Sequence, residues 1–186
     1  MKNILASILL SILLIPTLAT AQQVQQAPKL PVDEKTGLIT YTKVTELTGS
    51  TTGSLYQRAI EWVNKYYKNP ADVLREKDSI GGLVVCKARF KIQNPPDKKG
   101  LSTDAGVVMY TLKIQFKDGR YRYELSGINW KQQSYYACEK WIDKAAPGYK
   151  PEFDYYLQQV DASVRETLKS MEKAMSTPAA AKSDEW

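Results

Sequence analysis

Three runs of alternating apolar and polar residues lie close together in the middle of this chain. They span residues 83–92, 107–117 and 120–127, and only Asp118-Gly119 separates the last two. Successive side chains of a β-strand point to opposite faces, so alternation of this length predicts strands with one buried face. A two-residue Asp-Gly link predicts a hairpin turn, because both residues tolerate positive φ. The block therefore predicts an antiparallel sheet with one apolar face.

The alternation also assigns side chains to the two faces of the sheet. The apolar face is predicted to carry Val84, Cys86, Ala88, Phe90, Ile92, Val108, Tyr110, Leu112, Ile114, Phe116, Tyr121, Tyr123 and Leu125. The opposite face is predicted to carry Glu124 among seven basic side chains: Lys87, Arg89, Lys91, Lys113, Lys117, Arg120 and Arg122. We expect amphipathic helices to cover the apolar face and to leave the basic face open.

Two segments outside this block have helical periodicity. The first is predicted to begin at a capping box of Ser54 and Gln57 and to end before Asn69-Pro70. Its apolar stripe is Leu55, Ala59, Trp62, Val63 and Tyr66. The second spans about residues 151–175, with the stripe Phe153, Leu157, Val160, Val164, Leu168, Met171 and Met175. Each stripe follows the helical repeat and predicts a helix that packs on the sheet.

Shorter strands are expected at residues 39–44 and, at a sheet edge, at 73–77. A turn is expected at Gly81-Gly82, while residues 131–150 give no clear assignment. The predicted order is strand, helix, four strands, helix. Strands grouped between helices indicate the α+β class, with a curved antiparallel sheet and two helices on one face.

The N-terminus has the pattern of a secretory signal peptide. Lys2 precedes an apolar run over residues 4–15, and Ala19-Thr20-Ala21 offers a small-residue cleavage site. The alternative is an uncleaved anchor, but a spanning helix needs about 20 apolar residues. No cysteine precedes Cys86, so a lipoprotein is not expected, and the protein is predicted to be periplasmic or secreted. The expected organisation is a signal peptide (1–21), a flexible leader (22–36), one α+β domain (37–175) and a disordered tail (176–186).

The residue types exclude several classes of chemistry. The chain has no histidine and only two cysteines, which removes triads, imidazole bases and cysteine-rich metal sites. Its carboxylates are scattered, and the group Asp72, Glu76 and Asp78 fits a charged sheet edge better than a paired-acid site. We expect no enzyme activity, no catalytic residue, no metal and no cofactor.

Cys86 and Cys138 leave two alternatives open. In an oxidising compartment they could form one disulfide, which would stabilise the fold by roughly 4 kcal/mol in the chain-entropy model. They could equally be two buried free thiols that pack as small apolar groups. The sequence does not decide between them, because the bond depends on a Cα separation that only a structure provides.

Several motifs resemble those of an exported bacterial family known as domain of unknown function 4468. They are Thr36-Gly37-Leu38-Ile39-Thr40-Tyr41, the segment Ser54-Leu55-Tyr56-Gln57-Arg58-Ala59 followed by Trp62, and the strand pair around Gly81-Gly82. The resemblance covers about residues 33–130. It implies a TATA-binding-protein-like fold and no activity, because that family is uncharacterised.

Charge suggests a binding role. The whole chain carries +6, and loss of Lys2 with the signal peptide would leave +5. The basic face could bind an anionic glycan, a lipid headgroup or an acidic envelope protein, while nucleic acid is not expected outside the cytoplasm. The alternative for this face is ordinary solvated charge. A second hypothesis is a small hydrophobic ligand held between the sheet and the last helix, against which stands an ordinary packed core.

Overall fold

A computed structural model of the protein describes residues 27–132 and 134–177. The predicted signal peptide, the first part of the leader and nearly all of the predicted tail lie outside these residues. The helices and strands follow in this order: β1 (Tyr41–Glu46), α1 (Thr52–Tyr66), α2 (Pro70–Val73), β2 (Leu74–Asp78), β3 (Leu83–Gln93), β4 (Asp104–Lys117), β5 (Arg120–Lys131), β6 (Tyr135–Ala137), a 3₁₀ helix (Cys138–Trp141) and α3 (Glu152–Ser176).

The six strands form one antiparallel sheet in the order β1-β5-β4-β3-β2, and β6 pairs with β5. The α+β class and the antiparallel sheet are confirmed, as is the position of β2 at an edge. The sequence did not predict β6, because three residues are too few to establish an alternation. β1 begins two residues later than expected, and Ile39 instead forms an isolated bridge with Val32.

Glycines with positive φ lie in the turn between β4 and β5 and at irregular places in the central strands, including Gly106 of β4 beside a shift in register between Ile92 and Gln93. In the hairpin turn between β4 and β5, Gly119 has a φ of 75°, whereas Asp118 does not adopt positive φ. In β5, Gly127 has a φ of 63° beside a shift in register between Met109 and Thr111 of β4. This bulge lets β5 continue to Lys131, four residues beyond the clearly predicted strand.

The capping box of α1 lies three residues before the predicted one. Thr51 is the N-cap: its hydroxyl accepts from the Ser54 backbone N–H at 3.2 Å, and the Ser54 hydroxyl accepts from the Thr51 N–H at 3.0 Å. The prediction of Ser54 and Gln57 is therefore wrong. Serine takes the place that glutamate or glutamine usually fills in this motif, so the pattern did not identify it.

α1 and α3 pack against the apolar face of the sheet. The buried residues of α1 are Leu55, Ala59, Trp62 and Val63, and they meet a longer stripe on α3. Polar contacts fix the two helices against each other, since the Trp62 indole N–H donates to the Ser170 hydroxyl at 3.1 Å. Each fully buried Leu or Val stabilises the fold by about 1.5–3 kcal/mol, so this packing is the main source of stability.

The described two thirds of the predicted leader, residues 27–36, contact the domain. The Thr40 N–H donates to the Pro31 carbonyl at 2.9 Å, and Ala27 and Leu30 pack against the core. The Asp33 carboxylate accepts from the Thr36 N–H at 2.8 Å, which lowers the pKa of Asp33. The division into signal, leader, domain and tail stays a prediction.

The segment that the sequence left unassigned attaches to the rest through aromatic rings. Trp141 of the 3₁₀ helix stacks on Phe153 of α3 with ring centroids 5.3 Å apart, and it meets Trp130 of β5 edge-on at the same distance. The Glu139 carboxylate accepts from the Ile39 N–H at 3.0 Å. These contacts connect residues 135–141 to β5, α3 and the chain before β1.

Candidate functional site

The seven basic side chains lie on the face of the sheet opposite α1 and α3. All seven are exposed, while the alternate residues of the same strands are largely buried. Lys113 of β4 lies at the middle of this basic face, opposite Val85 of β3 on one side and Glu124 of β5 on the other. The predicted faces therefore correspond to those of the structure.

The strand register divides the basic face into two groups. Lys87, Arg89 and Lys91 lie opposite residues of β4 that are not charged: Thr111, Met109 and Val107. Lys117, Arg120 and Arg122 cluster instead at the hairpin end of β4 and β5. The sequence placed all seven on one face, but it could not show that Lys113 lies between two separate clusters.

Three of the seven form exposed ion pairs: Lys91 with Asp104 at 3.3 Å, Arg120 with Glu46 at 3.9 Å, and Arg122 with Glu124 at 3.2 Å. Exposed pairs of this kind contribute about 0–1 kcal/mol and open easily. The other four have no carboxylate within 4.0 Å in the described ranges: Lys87, Arg89, Lys113 and Lys117. Their charge is available to a partner.

A depression that we call the hairpin pocket lies at one end of the basic face. Its volume is about 340 Å³, and its lining residues are Val44, Gln115, Lys117, Arg120, Tyr121 and Arg122. Two of its three cations already have an acidic partner, so the pocket has little net charge to offer an anion.

A second depression, which we call the edge pocket, lies beside β2 and has a volume of about 380 Å³. Lys87 and Arg89 of the basic face line it together with Lys68 and Arg75. The sequence did not group these four residues, because Lys68 follows α1 and Arg75 is the extra residue of a bulge between Leu74 and Glu76. Neither position follows the alternation that identified the basic face.

Asp78, one of the acidic residues considered for chemistry, bonds to the backbone instead, and so do the aspartates at positions 97 and 104. Asp78 accepts from the Gly81 N–H at 2.7 Å and Asp97 from the Leu101 N–H at 2.9 Å. Asp104 accepts from the Gly106 N–H, which with Lys91 lowers the pKa of Asp104. No group of three or more metal-binding side chains occurs within residues 27–132 and 134–177.

Both cysteines are buried free thiols in the structure, which is the second of the two alternatives. Cys86 lies on β3 beneath the helices, and Cys138 begins the 3₁₀ helix. Burial raises the pKa of Cys86 to about 12 and raises that of Cys138 as well. Neither thiol is a reactive nucleophile at neutral pH, because the reactive form is the thiolate.

The residues named for a hydrophobic ligand lie in a packed core. Tyr110, Phe116 and Tyr123 are each less than a tenth exposed. The hydroxyl of Tyr110 bonds to that of Tyr67 at 2.9 Å, and the Tyr123 hydroxyl donates to Glu172 at 3.0 Å. These side chains contact other parts of the protein, which favours the ordinary-core interpretation.

No described helix is long and apolar enough to span a bilayer.

Comparison with protein families identifies the central part of the chain. A family model described as domain of unknown function DUF4468 with a TBP-like fold matches residues 41–131. Over these residues the chain belongs to this family. The DUF4468 match runs from the start of β1 to the end of β5, so it contains the basic face and its seven cations.

Two crystal structures show the same fold. A DUF4468 family protein from Bacteroides ovatus is 16% identical with a TM-score of 0.65, and the alignment covers 85% of this chain and 97% of that one. A TBP-like protein from Parabacteroides distasonis is 15% identical with a TM-score of 0.61, covering 80% of this chain and 99% of that one. No curated protein matches the chain.

Proposed function

We propose that this DUF4468 protein is an exported, non-enzymatic binding module whose basic face binds an anionic partner outside the cytoplasm. One observation carries the proposal: four basic side chains on an uncovered sheet face have no acidic partner in the described part of the chain. A cationic surface attracts anions over about a Debye length, close to 8 Å at physiological salt.

The chemistry of the face favours a partner that is anionic and partly apolar. Val44, Val85 and Met109 lie among the cations, and Val44 is 54% exposed. A lipid headgroup region offers both features, and anionic glycans and acidic envelope proteins are the other classes that fit. The hydrophobic-carrier alternative gains no support, since its residues are packed in the core.

Export is supported by the sequence pattern of residues 1–21. The direct test is mass spectrometry of the protein recovered from the periplasmic or secreted fraction. We expect a mature N-terminus at Gln22, after cleavage behind Ala21. An intact Met1 in the membrane fraction would contradict the proposal.

Binding is tested with the double variant Lys113→Glu and Arg122→Glu. Sedimentation with phosphatidylcholine vesicles containing 30% phosphatidylglycerol, or with heparin, should show at least about tenfold weaker binding than wild type. The matched control reverses Lys169 and Lys173, two exposed lysines on α3 away from this face, and should bind like wild type. Equal binding by all three proteins would refute the basic face as the binding surface.

A further inference from the structure

β3 extends beyond β2 and leaves part of its edge without a strand partner. β2 pairs only with residues Leu83–Cys86, although β3 continues to Gln93. At the far end, the backbone of Gln93 bonds to the side-chain amide of Gln159 on α3. Between these two points no described strand pairs with this edge of β3. The chain from the end of α1 through α2 runs beside this open edge.

The edge pocket lies in this gap. Its walls come from the chain just after α1, from α2, from β2 and from the neighbouring strands β3 and β4. Val73, Ala88 and Met109 give it an apolar portion. A volume of about 380 Å³ falls in the usual range for small-molecule sites.

The charge of the edge pocket is strongly unbalanced. Four cationic side chains line it, Lys68, Arg75, Lys87 and Arg89, against the single carboxylate of Asp72. None of the four has an ion-pair partner within 4.0 Å among the residues that the structure describes. Four like charges around one depression repel one another, and a bound anion would relieve that repulsion.

The wall of the pocket is held in place by the fold. Tyr67 shares a hydrogen bond of 2.9 Å with the buried hydroxyl of Tyr110, and it meets Trp62 edge-on at 5.6 Å. The Asp72 N–H donates to the Asn69 carbonyl at 3.1 Å, which closes the turn into α2. A site with fixed walls loses less conformational entropy when a ligand binds.

We propose that the edge pocket binds a phosphate group with two negative charges, whose attached portion lies on Val73 and Met109. The inference rests on the proposed function, because it specifies a ligand class and a site on the same basic face. Arginine guanidinium groups bond phosphate oxygens in pairs, and the pocket presents two arginines with two lysines. Its volume exceeds that of a phosphate ion, so there is space for the rest of the ligand.

Phosphate of this kind could come from a soluble phosphorylated compound or from a lipid headgroup. The first arm of the test is calorimetric titration of the purified protein with inorganic pyrophosphate. The second arm is sedimentation with phosphatidylcholine vesicles containing 20% phosphatidic acid. Binding in the first arm alone indicates a soluble ligand, whereas binding to these vesicles that exceeds binding to phosphatidylglycerol vesicles of equal charge indicates a headgroup in the pocket. Either result supports a phosphate site if it depends on the pocket residues.

That dependence is tested with Arg75→Gln combined with Lys87→Gln, and we expect at least about tenfold weaker binding in the positive arm. The control is the Lys113→Glu and Arg122→Glu variant, whose residues lie outside the pocket and which should keep pyrophosphate binding within about threefold. Arg75→Lys alone keeps the charge and should lose less affinity than Arg75→Gln, which separates ligand contact from damage to the fold. A thermal melt of each variant confirms folding.

Three outcomes would overturn the inference. They are no binding in either arm, binding in the positive arm that survives loss of Arg75 and Lys87, and equal affinity for citrate or for an oligoglutamate peptide, which would indicate a carboxylate site. A different result would contradict the proposed function, because that proposal depends on vesicle or heparin binding through Lys113 and Arg122. The experiments can therefore contradict the phosphate site while they support binding by the basic face. They can also contradict vesicle and heparin binding through Lys113 and Arg122 while pyrophosphate binding is retained.

Discussion

The carboxylate of Asp118, in the turn between β4 and β5, binds the first residue of α1. Its Oδ1 atom accepts from the Thr52 backbone N–H at 2.7 Å and from the Thr52 hydroxyl at 2.8 Å. The two residues are 66 positions apart in the chain. A carboxylate at the N-terminus of a helix satisfies a free N–H and interacts favourably with the helix dipole. The turn thus fixes the start of α1 over the sheet.

The first prediction concerns the pH dependence of this contact. The Thr52 N–H and hydroxyl lower the pKa of Asp118 in the folded protein. A lowered folded pKa adds stability above the unfolded pKa of about 4, and that stability is lost as the pH falls through the folded pKa. Chemical denaturation of wild type and Asp118→Asn should therefore show wild type more stable at pH 7, with the difference vanishing near pH 2.

Asparagine keeps an oxygen atom that can accept the same hydrogen bonds but does not titrate. The difference in stability between wild type and Asp118→Asn therefore measures the contribution of the charge. Asp97→Asn serves as the control, because Asp97 also accepts backbone N–H groups but lies in a loop away from any helix terminus. A stability difference for Asp118→Asn that stays constant from pH 7 to pH 2 would contradict the proposed role of the charge.

The second prediction concerns Gly82, in the turn that precedes β3. Its φ is +64°, and a Cβ atom there would lie 2.7 Å from the Phe116 carbonyl oxygen. We expect Gly82→Ala to reduce the free energy of unfolding by about 1–3 kcal/mol, through backbone strain and this backbone clash. Gly148→Ala is the matched control, since no atom lies within 4 Å of its Cβ position. Equal denaturation midpoints for the two variants would show that the turn can rearrange.

The third prediction compares the two faces of the sheet. Leu112 on β4 is fully buried beneath the helices, whereas Val44 on β1 is 54% exposed on the opposite face. Leu112→Ala should reduce the free energy of unfolding by about 3 kcal/mol because it opens a cavity in the core. Val44→Ala should change it by less than about 0.5 kcal/mol. A large effect at Val44 would mean that something covers the basic face.

The fourth prediction concerns the thiols. We expect Ellman's reagent to detect two thiols after unfolding in guanidinium without reductant, and almost none in the native protein. Burial protects both cysteines and raises the pKa of Cys86 to about 12, so the thiolate is scarce. Cys86→Ala should leave one thiol that reacts after unfolding. If the unfolded wild type has no free thiol, the two cysteines are bridged in the isolated protein.

Much of the fold could be predicted from the sequence, because the central strands follow strict alternation and the two long helices follow strict helical stripes. Details that depend on contacts between residues far apart in the sequence could not be predicted. Asp118 was predicted as a turn residue, but nothing local shows that it also binds Thr52. The N-cap was misplaced because Thr51 and Ser54 are both favoured N-cap residues, and only Ser54 has the glutamine three residues later that the usual motif requires.

The basic face could be predicted for the same reason as the strands, since alternation decides which side chains point outwards. Ion pairing could not be predicted from the alternation, and strand register does not decide it either: Lys113 lies opposite Glu124, yet that carboxylate pairs with Arg122, two residues earlier on the same strand. The edge pocket was missed for a different reason. Arg75 belongs to a bulge, and bulges break the alternation on which the assignment of faces relied.

Gly127 divides β5 into two stretches that have different neighbours. Residues Arg120–Leu125 pair with β1, and residues Asn129–Lys131 pair with β6. Gly127 lies between these stretches, beside the bulge in the β4–β5 ladder, so insertions or deletions after residue 131 can be absorbed without shifting the register of β1. We therefore expect homologues to differ most in length between residues 132 and 150.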